Sequence, residues 1–266
     1  GAAARFDQPQ GLAVPADGLN LFVADTYNHL IRQIVISTGA VTTLAGSAGV
    51  SGSTDDVGAA ARFYHPYDLT VSADGLNLFV ADRNHLIRQI VISTGTVTTL
   101  AGSAGVSGST DDVGTAARFN RPLGLATGLS ADGLVLFVAD FDSHLIRQIV
   151  ISTGTVTTLA GSAGVSGSSD DVGTVARFNG PLGLAVSADG LALFVADFDN
   201  HLIRQIVIAT GAVTTLAGSA GEPGSINAIG TAARFNEPHG LAVSADGLAL
   251  FVADFSYHRT LPWTGR

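Results

Sequence analysis

Five histidines and five aspartates recur along this chain in step. His29, His85, His144, His201 and His258 each follow, within four residues, one of Asp25, Asp82, Asp140, Asp197 and Asp254. The first four histidines are followed three residues later by Arg32, Arg88, Arg147 and Arg204, and doubled carboxylates stand at Asp55-Asp56, Asp111-Asp112 and Asp170-Asp171. These types allow three chemistries: imidazoles as metal ligands, paired carboxylates as a calcium site, and Asp with Arg as a charge-assisted hydrogen-bonded pair. Outside the recurring set, His65, Asp68 and His239 have the functional groups of a general acid, base or ligand set.

Which chemistry is available depends on the elements that carry these residues. Ala-Arg-Phe recurs with its arginine at 5, 62, 118, 177 and 234, intervals of 57, 56, 59 and 57 residues, and the text between is almost copied. Repetition of this kind is read as architecture before any single residue is interpreted. In the fourth unit, four apolar runs cover 183–187, 191–196, 202–208 and 212–217; they are rich in Val, Ile, Leu, Thr and Phe and have strand length. Asp189-Gly190 and Thr210-Gly211 supply tight hairpin turns, because glycine accepts positive φ. Four antiparallel strands apolar on both faces must pack against neighbouring sheets, and radial packing of such sheets makes a β-propeller. A Gly/Ser/Thr-rich connection such as 161–176 leads into each new first strand. The expectation is one all-β domain over 1–266, with repeats at about 1–57, 58–113, 114–172 and 173–229 and a partial fifth at 230–266.

Val-Ala-Asp followed by Asn-His-Leu, read at Val23 to Leu30, Val80 to Leu86 and Val195 to Leu202, resembles the NHL-repeat family over nearly the whole chain. The resemblance implies a β-propeller, commonly six-bladed, used for protein or RNA binding or by a few lyase-type or hydrolase-type enzymes. The third unit departs with Ser143-His144-Leu145, and the fifth reads Tyr257-His258-Arg259 and then loses the pattern around Pro262 and Trp263. The fifth blade therefore ends after its second strand, near Asp254. Three readings stay open: five blades close with a truncated last one, another subunit or a sixth blade completes the edge, or the chain is a processed or internal segment, which the lack of methionine fits.

On such a frame the recurring residues acquire roles. Equivalent histidines on adjacent blades lie ~10 Å apart, the spacing of packed sheets, whereas zinc holds imidazole nitrogen at about 2.0–2.1 Å. No metal site and no cofactor are expected; each histidine is expected to hydrogen-bond within its own blade. Each of Asp25, Asp82, Asp140 and Asp197 is expected to pair with Arg32, Arg88, Arg147 or Arg204 of the same blade. The doubled aspartates lack the alternating spacing of calcium loops, so local capping of backbone N–H groups is expected.

The formal net charge is −9, with thirteen arginines and no lysine. Nucleic-acid binding needs a basic surface, so that partner class is excluded. Charges break every apolar run short of the ~20 residues of a membrane helix, so membrane insertion is not expected. There is no cysteine and hence no disulfide or thiolate chemistry. An extracellular or cell-surface setting is the working expectation, although no residue pattern specifies compartment.

Function is sought where the copies differ. Those positions fall in the loop leading into the first strand and the loop joining second to third, which open on one face of a propeller. The candidates are Gln10, Tyr27, His65, Tyr67, Asp68, Arg83, Arg121, Phe141, Asp142, Phe198, Asp199 and His239, with Gln8, Leu123, Leu182, Glu237 and Phe255 beside them. Exposed aromatic rings suit protein or glycan contacts. Catalysis is not expected, because the first strands otherwise begin with leucine and glycine and leave His65, Asp68 and His239 isolated. The reading is a non-catalytic binding or structural module whose partners are protein, including other copies of itself, with head-to-tail self-assembly through the incomplete fifth blade and protein or glycan capture on the loop-bearing face as the two specific forms.

Overall fold

The structure, a computed structural model, describes residues 3–130 and 133–255. Tyr257, His258, Arg259, Pro262 and Trp263 lie outside the described residues. The first blade is a meander of β1 (Pro9–Ala13), β2 (Asn20–Asp25), β3 (Leu30–Val35) and β4 (Ala40–Gly46). The second is β5 (Pro66–Val71), β6 (Asn77–Asp82), β7 (Leu86–Val91) and β8 (Thr96–Gly102). The third is β9 (Pro122–Ser130), β10 (Gly133–Asp140), β11 (Leu145–Val150) and β12 (Thr155–Gly161), and the fourth β13 (Pro181–Val186), β14 (Ala192–Asp197), β15 (Leu202–Val207) and β16 (Ala212–Gly218). A fifth sheet holds only β17 (Pro238–Val243) and β18 (Leu250–Asp254). The fold is thus an all-β propeller of four complete blades and a partial fifth. All pairing is antiparallel, and the runs expected in the fourth unit match β13 to β16 within two residues. Single 3-10 turns such as Phe141–Ser143 and Gly114–Ala116 join the strands.

The core lies between blades rather than within them. Phe22, Ile31, Phe63, Leu78 and Ile90 pack the first blade on the second; Phe79, Ile87, Phe119 and Ile149 pack the second on the third; Phe137, Ile146, Phe178 and Ile206 pack the third on the fourth. Both faces of each central strand are therefore buried, which explains their unbroken apolar sequences.

The Gly/Ser/Thr-rich connections turn out to be clasps. After leaving β4, the chain runs beside β8 of the next blade before reaching the centre: Asp55 accepts the Thr99 N–H at 2.9 Å and the Arg88 guanidinium at 2.6 Å. Asp111 and Asp170 make the same bonds to Thr158 and Arg147, and to Thr215 and Arg204. Local capping belongs only to the second residue of each pair, as where the Asp56 carboxylate accepts the Val57 N–H at 2.7 Å. The expectation for the first residues is corrected: a carboxylate on a connection that skirts the next blade meets that blade's donors. The third-strand arginines also bond Asp25, Asp82, Asp140 and Asp197 at 3.1, 3.4, 3.2 and 2.9 Å. Each guanidinium lies 5.2 Å from the ring centre of the phenylalanine of Ala-Arg-Phe, Phe6, Phe63, Phe119 or Phe178.

Candidate functional site

The loop-bearing face is assembled by a joint repeated at each boundary between blades. The second strand ends in aspartate, one turn follows, and the histidine closes it in the left-handed region, with φ of 60°, 65°, 58° and 61° at His29, His85, His144 and His201. Each histidine Nδ1 accepts a backbone N–H from the following blade: His65 at 3.1 Å, Arg121 at 3.2 Å, Gly180 at 3.1 Å and Glu237 at 3.1 Å. The expected bond within one blade is corrected here, because the left-handed turn points the imidazole outward, across the boundary. The receiving residues also have positive φ, 51°, 60°, 58° and 61°. One position earlier, the N–H of Tyr64, Asn120, Asn179 or Asn236 is held by the aspartate of its own blade. The leading loops of the second to fifth blades are therefore each gripped from two blades at once.

These joints bring the variable residues together in two groups. On the first two blades, His65 makes edge contacts with Tyr27, His29 and Tyr64, with ring centres 4.9, 4.5 and 4.7 Å away. Tyr27 and Tyr64 are each 44% exposed. Tyr64 is missing from the sequence candidates, although comparison of the units carries its signal: the other copies read Asp7, Asn120, Asn179 and Asn236 there. Burial first, then the charges of His29 and Arg83, hold the His65 imidazole below its ordinary range, and its buried Nδ1 has no hydrogen-bond partner among the described residues. Arg83 makes no ion pair among the described residues, and its charge reaches both His65 and Tyr67.

On the later blades, Phe141, Phe198, His239 and Phe255 form a chain of rings with centres 6.0, 6.4 and 6.3 Å apart. Arg121 stacks 4.7 Å from the Phe141 centre and pairs with Asp142 at 3.3 Å. Asp199 lies within electrostatic reach of Arg121, His144 and His201, and burial raises its carboxyl. The two groups meet where Tyr67 Oη lies 2.7 Å from His239 Nε2, linking the second blade to the fifth. Burial raises the Tyr67 phenol and lowers the His239 imidazole, so the pair is neutral near pH 7. Gln10 stands apart, lining a recess of about 240 Å³ with His239, Ala253, Asp254 and Phe255.

Below this face runs a channel of about 690 Å³ lined by β1, β5, β9, β13 and β17. A Cβ on Gly124 would strike the Leu182 carbonyl and one on Gly183 the His239 carbonyl. The third inner strand meets the fourth, and the fourth the fifth, too closely for a side chain at these two positions. Asp68 occupies the corresponding place in the second blade, where its oxygens accept the Leu69 and Leu125 N–H groups at 2.8 and 2.9 Å. Burial pushes this carboxyl up to about 6, the two N–H groups opposing. His65, Asp68 and His239 are thus each engaged with different neighbours. Among the described residues there is no group of three or more His, Cys, Asp or Glu side chains arranged to hold a metal ion.

The Teneurin NHL domain model matches residues 1–207. NHL repeat-containing protein 2 of Bos taurus is 31% identical over 281 residues, which take in 96% of this chain; the chain spans only 38% of that relative's length. Two solved structures share the shape. A gluconolactonase from Xanthomonas campestris has a TM-score of 0.60 at 15% identity, covering 94% of this chain and 71% of its own. A chain of a Nidogen/Laminin Complex has a TM-score of 0.61 at 17% identity, covering 93% of this chain and 72% of its own.

Proposed function

Since the chain belongs to the NHL-repeat β-propeller family, we propose that it is a non-catalytic binding module whose loop-bearing face captures a protein or glycan partner. One observation carries this reading. Rings and cations from separate blades converge on this face, with Tyr27 and Tyr64 exposed around His65, which the charge of Arg83 reaches, while Asp68, the carboxylate of the channel wall among the described residues, is taken up by backbone donors. Exposed tyrosines supply contact area at small entropic loss, and the Arg83 guanidinium, which has no ion pair among the described residues, adds a directional donor. The Nidogen/Laminin Complex supports, at the level of fold, protein recognition by a propeller of this shape.

The test compares the parent with Tyr27→Ala/Tyr64→Ala/Arg83→Ala on a displayed random-peptide library and a glycan array. Ligands selected by the parent should lose about tenfold or more in affinity, as for the loss of central aromatic and arginine anchors. Undiminished binding by a folded triple variant would end the proposal. The gluconolactonase likeness frames the catalytic alternative: turnover of an aldonolactone that disappears in Asp68→Asn would replace binding by hydrolysis.

A second reading rests on the fifth sheet. Phe251 of β18 is 62% exposed, whereas Phe22, Phe79 and Phe137 at the same place in the first three blades are buried. Among the described residues no strand pairs with the outer edge of β18; a strand edge left unpaired beside an apolar face recruits strands, and copies of this chain would associate there head to tail. Native mass across a concentration series decides it: a monomer throughout removes self-assembly.

A further inference from the structure

We propose that His29, His85, His144 and His201 form an acid-operated latch: protonation of their Nδ1 atoms releases the leading loops of the second to fifth blades and loosens the loop-bearing face. The geometry assigns each Nδ1 the role of acceptor, since the group facing it is a backbone N–H at 3.1 or 3.2 Å. A backbone N–H cannot reverse its role. The imidazole is therefore neutral with its proton on Nε2, and adding a second proton sets N–H against N–H. The bond is then lost and becomes a repulsion. What it held is a residue in the left-handed region, and three of the four, His65, Arg121 and Glu237, are not glycine, so the relaxed backbone moves away from that conformation.

The surroundings set where the latch trips. His29 is packed by the rings of His65 and Tyr64, and burial lowers it; Arg83 adds positive charge next to His65. His85 faces the Asp142 carboxylate, which favours its charged form, but burial outweighs it and the net direction is down. Asp199 reaches both His144 and His201 and is itself near Arg121 and Asp142. For His29 and His85, folded values below the ordinary 6.5 mean that the latch is fully closed above that value. It opens as pH falls through the folded values. The aspartates that hold the residue one position earlier also take up a proton in this range: burial, opposed by the Arg88, Arg147 and Arg204 guanidinium groups, raises Asp82 and Asp140 to about 7 and Asp197 to about 6, so a variant that changes only the histidines separates the two titrations. The latch goes beyond partner binding: it would hold on the unliganded chain whatever the face captures.

The experiment is amide hydrogen exchange by NMR on the chain without ligand, corrected for intrinsic rates, between about pH 7.5 and pH 5. Protection at His65, Arg121, Gly180 and Glu237 should fall about tenfold toward the acid end, as for the loss of one hydrogen bond. The Ser72 and Ser187 amides, held at 2.8 Å by the Asn77 and Ala192 carbonyls rather than by an imidazole, should show no such fall. In the quadruple variant His29→Asn/His85→Asn/His144→Asn/His201→Asn, the amide oxygen replaces Nδ1 as acceptor and asparagine tolerates positive φ, so protection should persist and lose its pH dependence. Flat protection in the parent, or an equal fall in the variant, overturns the latch. Imidazole nitrogen shifts of the parent give a check that needs no variant: a proton on Nδ1 at neutral pH is incompatible with it.

Discussion

Leu-Ile-Arg-Gln-Ile-Val occurs four times in this chain, as β3, β7, β11 and β15, and the first copy is held differently from the next three. Arg88, Arg147 and Arg204 are wholly buried, each bonded to its blade's aspartate, to a clasp aspartate and to two backbone carbonyls. Arg32 has the same blade partner, Asp25, but its side chain is 15% exposed and no clasp carboxylate reaches it among the described residues. Identical hexapeptides thus differ in burial because the wrapping comes from the preceding connection. The lesson extends to the face, where the joint histidines also act on the following blade. Stability and site geometry both reside in the boundaries between repeats.

The largest effect should come from breaking the wrapped copy. Arg147→Ala leaves Asp140 buried without its cation and should lower unfolding free energy by about 3–5 kcal/mol in urea titration. Arg32→Ala also strips a buried carboxylate, Asp25, but breaks no clasp bond, and should cost about 1–2 kcal/mol less; equal losses would show that the clasp contributes nothing. Next comes Asp68, the polar residue that replaces glycine in one inner strand. Its carboxyl is raised to about 6 in the folded chain, so the folded state binds the extra proton. Parent stability should fall relative to Asp68→Gly by up to about 3 kcal/mol as pH rises from the ordinary carboxylate range to about 6, and stay level above it. Parallel pH profiles for the two proteins would contradict that assignment. Asp111→Ala removes one half-exposed clasp carboxylate and should cost about 1–2 kcal/mol, bringing Arg147 toward the condition of Arg32. Smallest of all, Tyr64→Ala on the exposed face should change stability by no more than about 0.5 kcal/mol while reducing partner capture, which separates face from frame.

Much of this was legible beforehand because it is local. Hairpin glycines and apolar runs of strand length mark β13 to β16 closely, and aspartates seven or six residues before an arginine predict their pairing. The variable loops were also readable as one face, since copies placed in a ring superpose their loops. Tyr64 escaped notice because it stands where the other units carry Asp or Asn, a position that reads as a turn. The direction of the histidine bonds and of Asp55, Asp111 and Asp170 was hidden for another reason: a repeat written in one dimension does not say which neighbour its side chains will meet.

The sequence by itself determined the unit: its length, its four strands, its turns and the residue types set at each boundary, all consequences of short-range sterics and alternating burial. Only the tertiary structure decided what those boundary residues touch. Radial packing places the connection of one blade on the outer strand of the next and the histidine of one beside the leading loop of another, so contacts separated by 36 residues in sequence become hydrogen bonds.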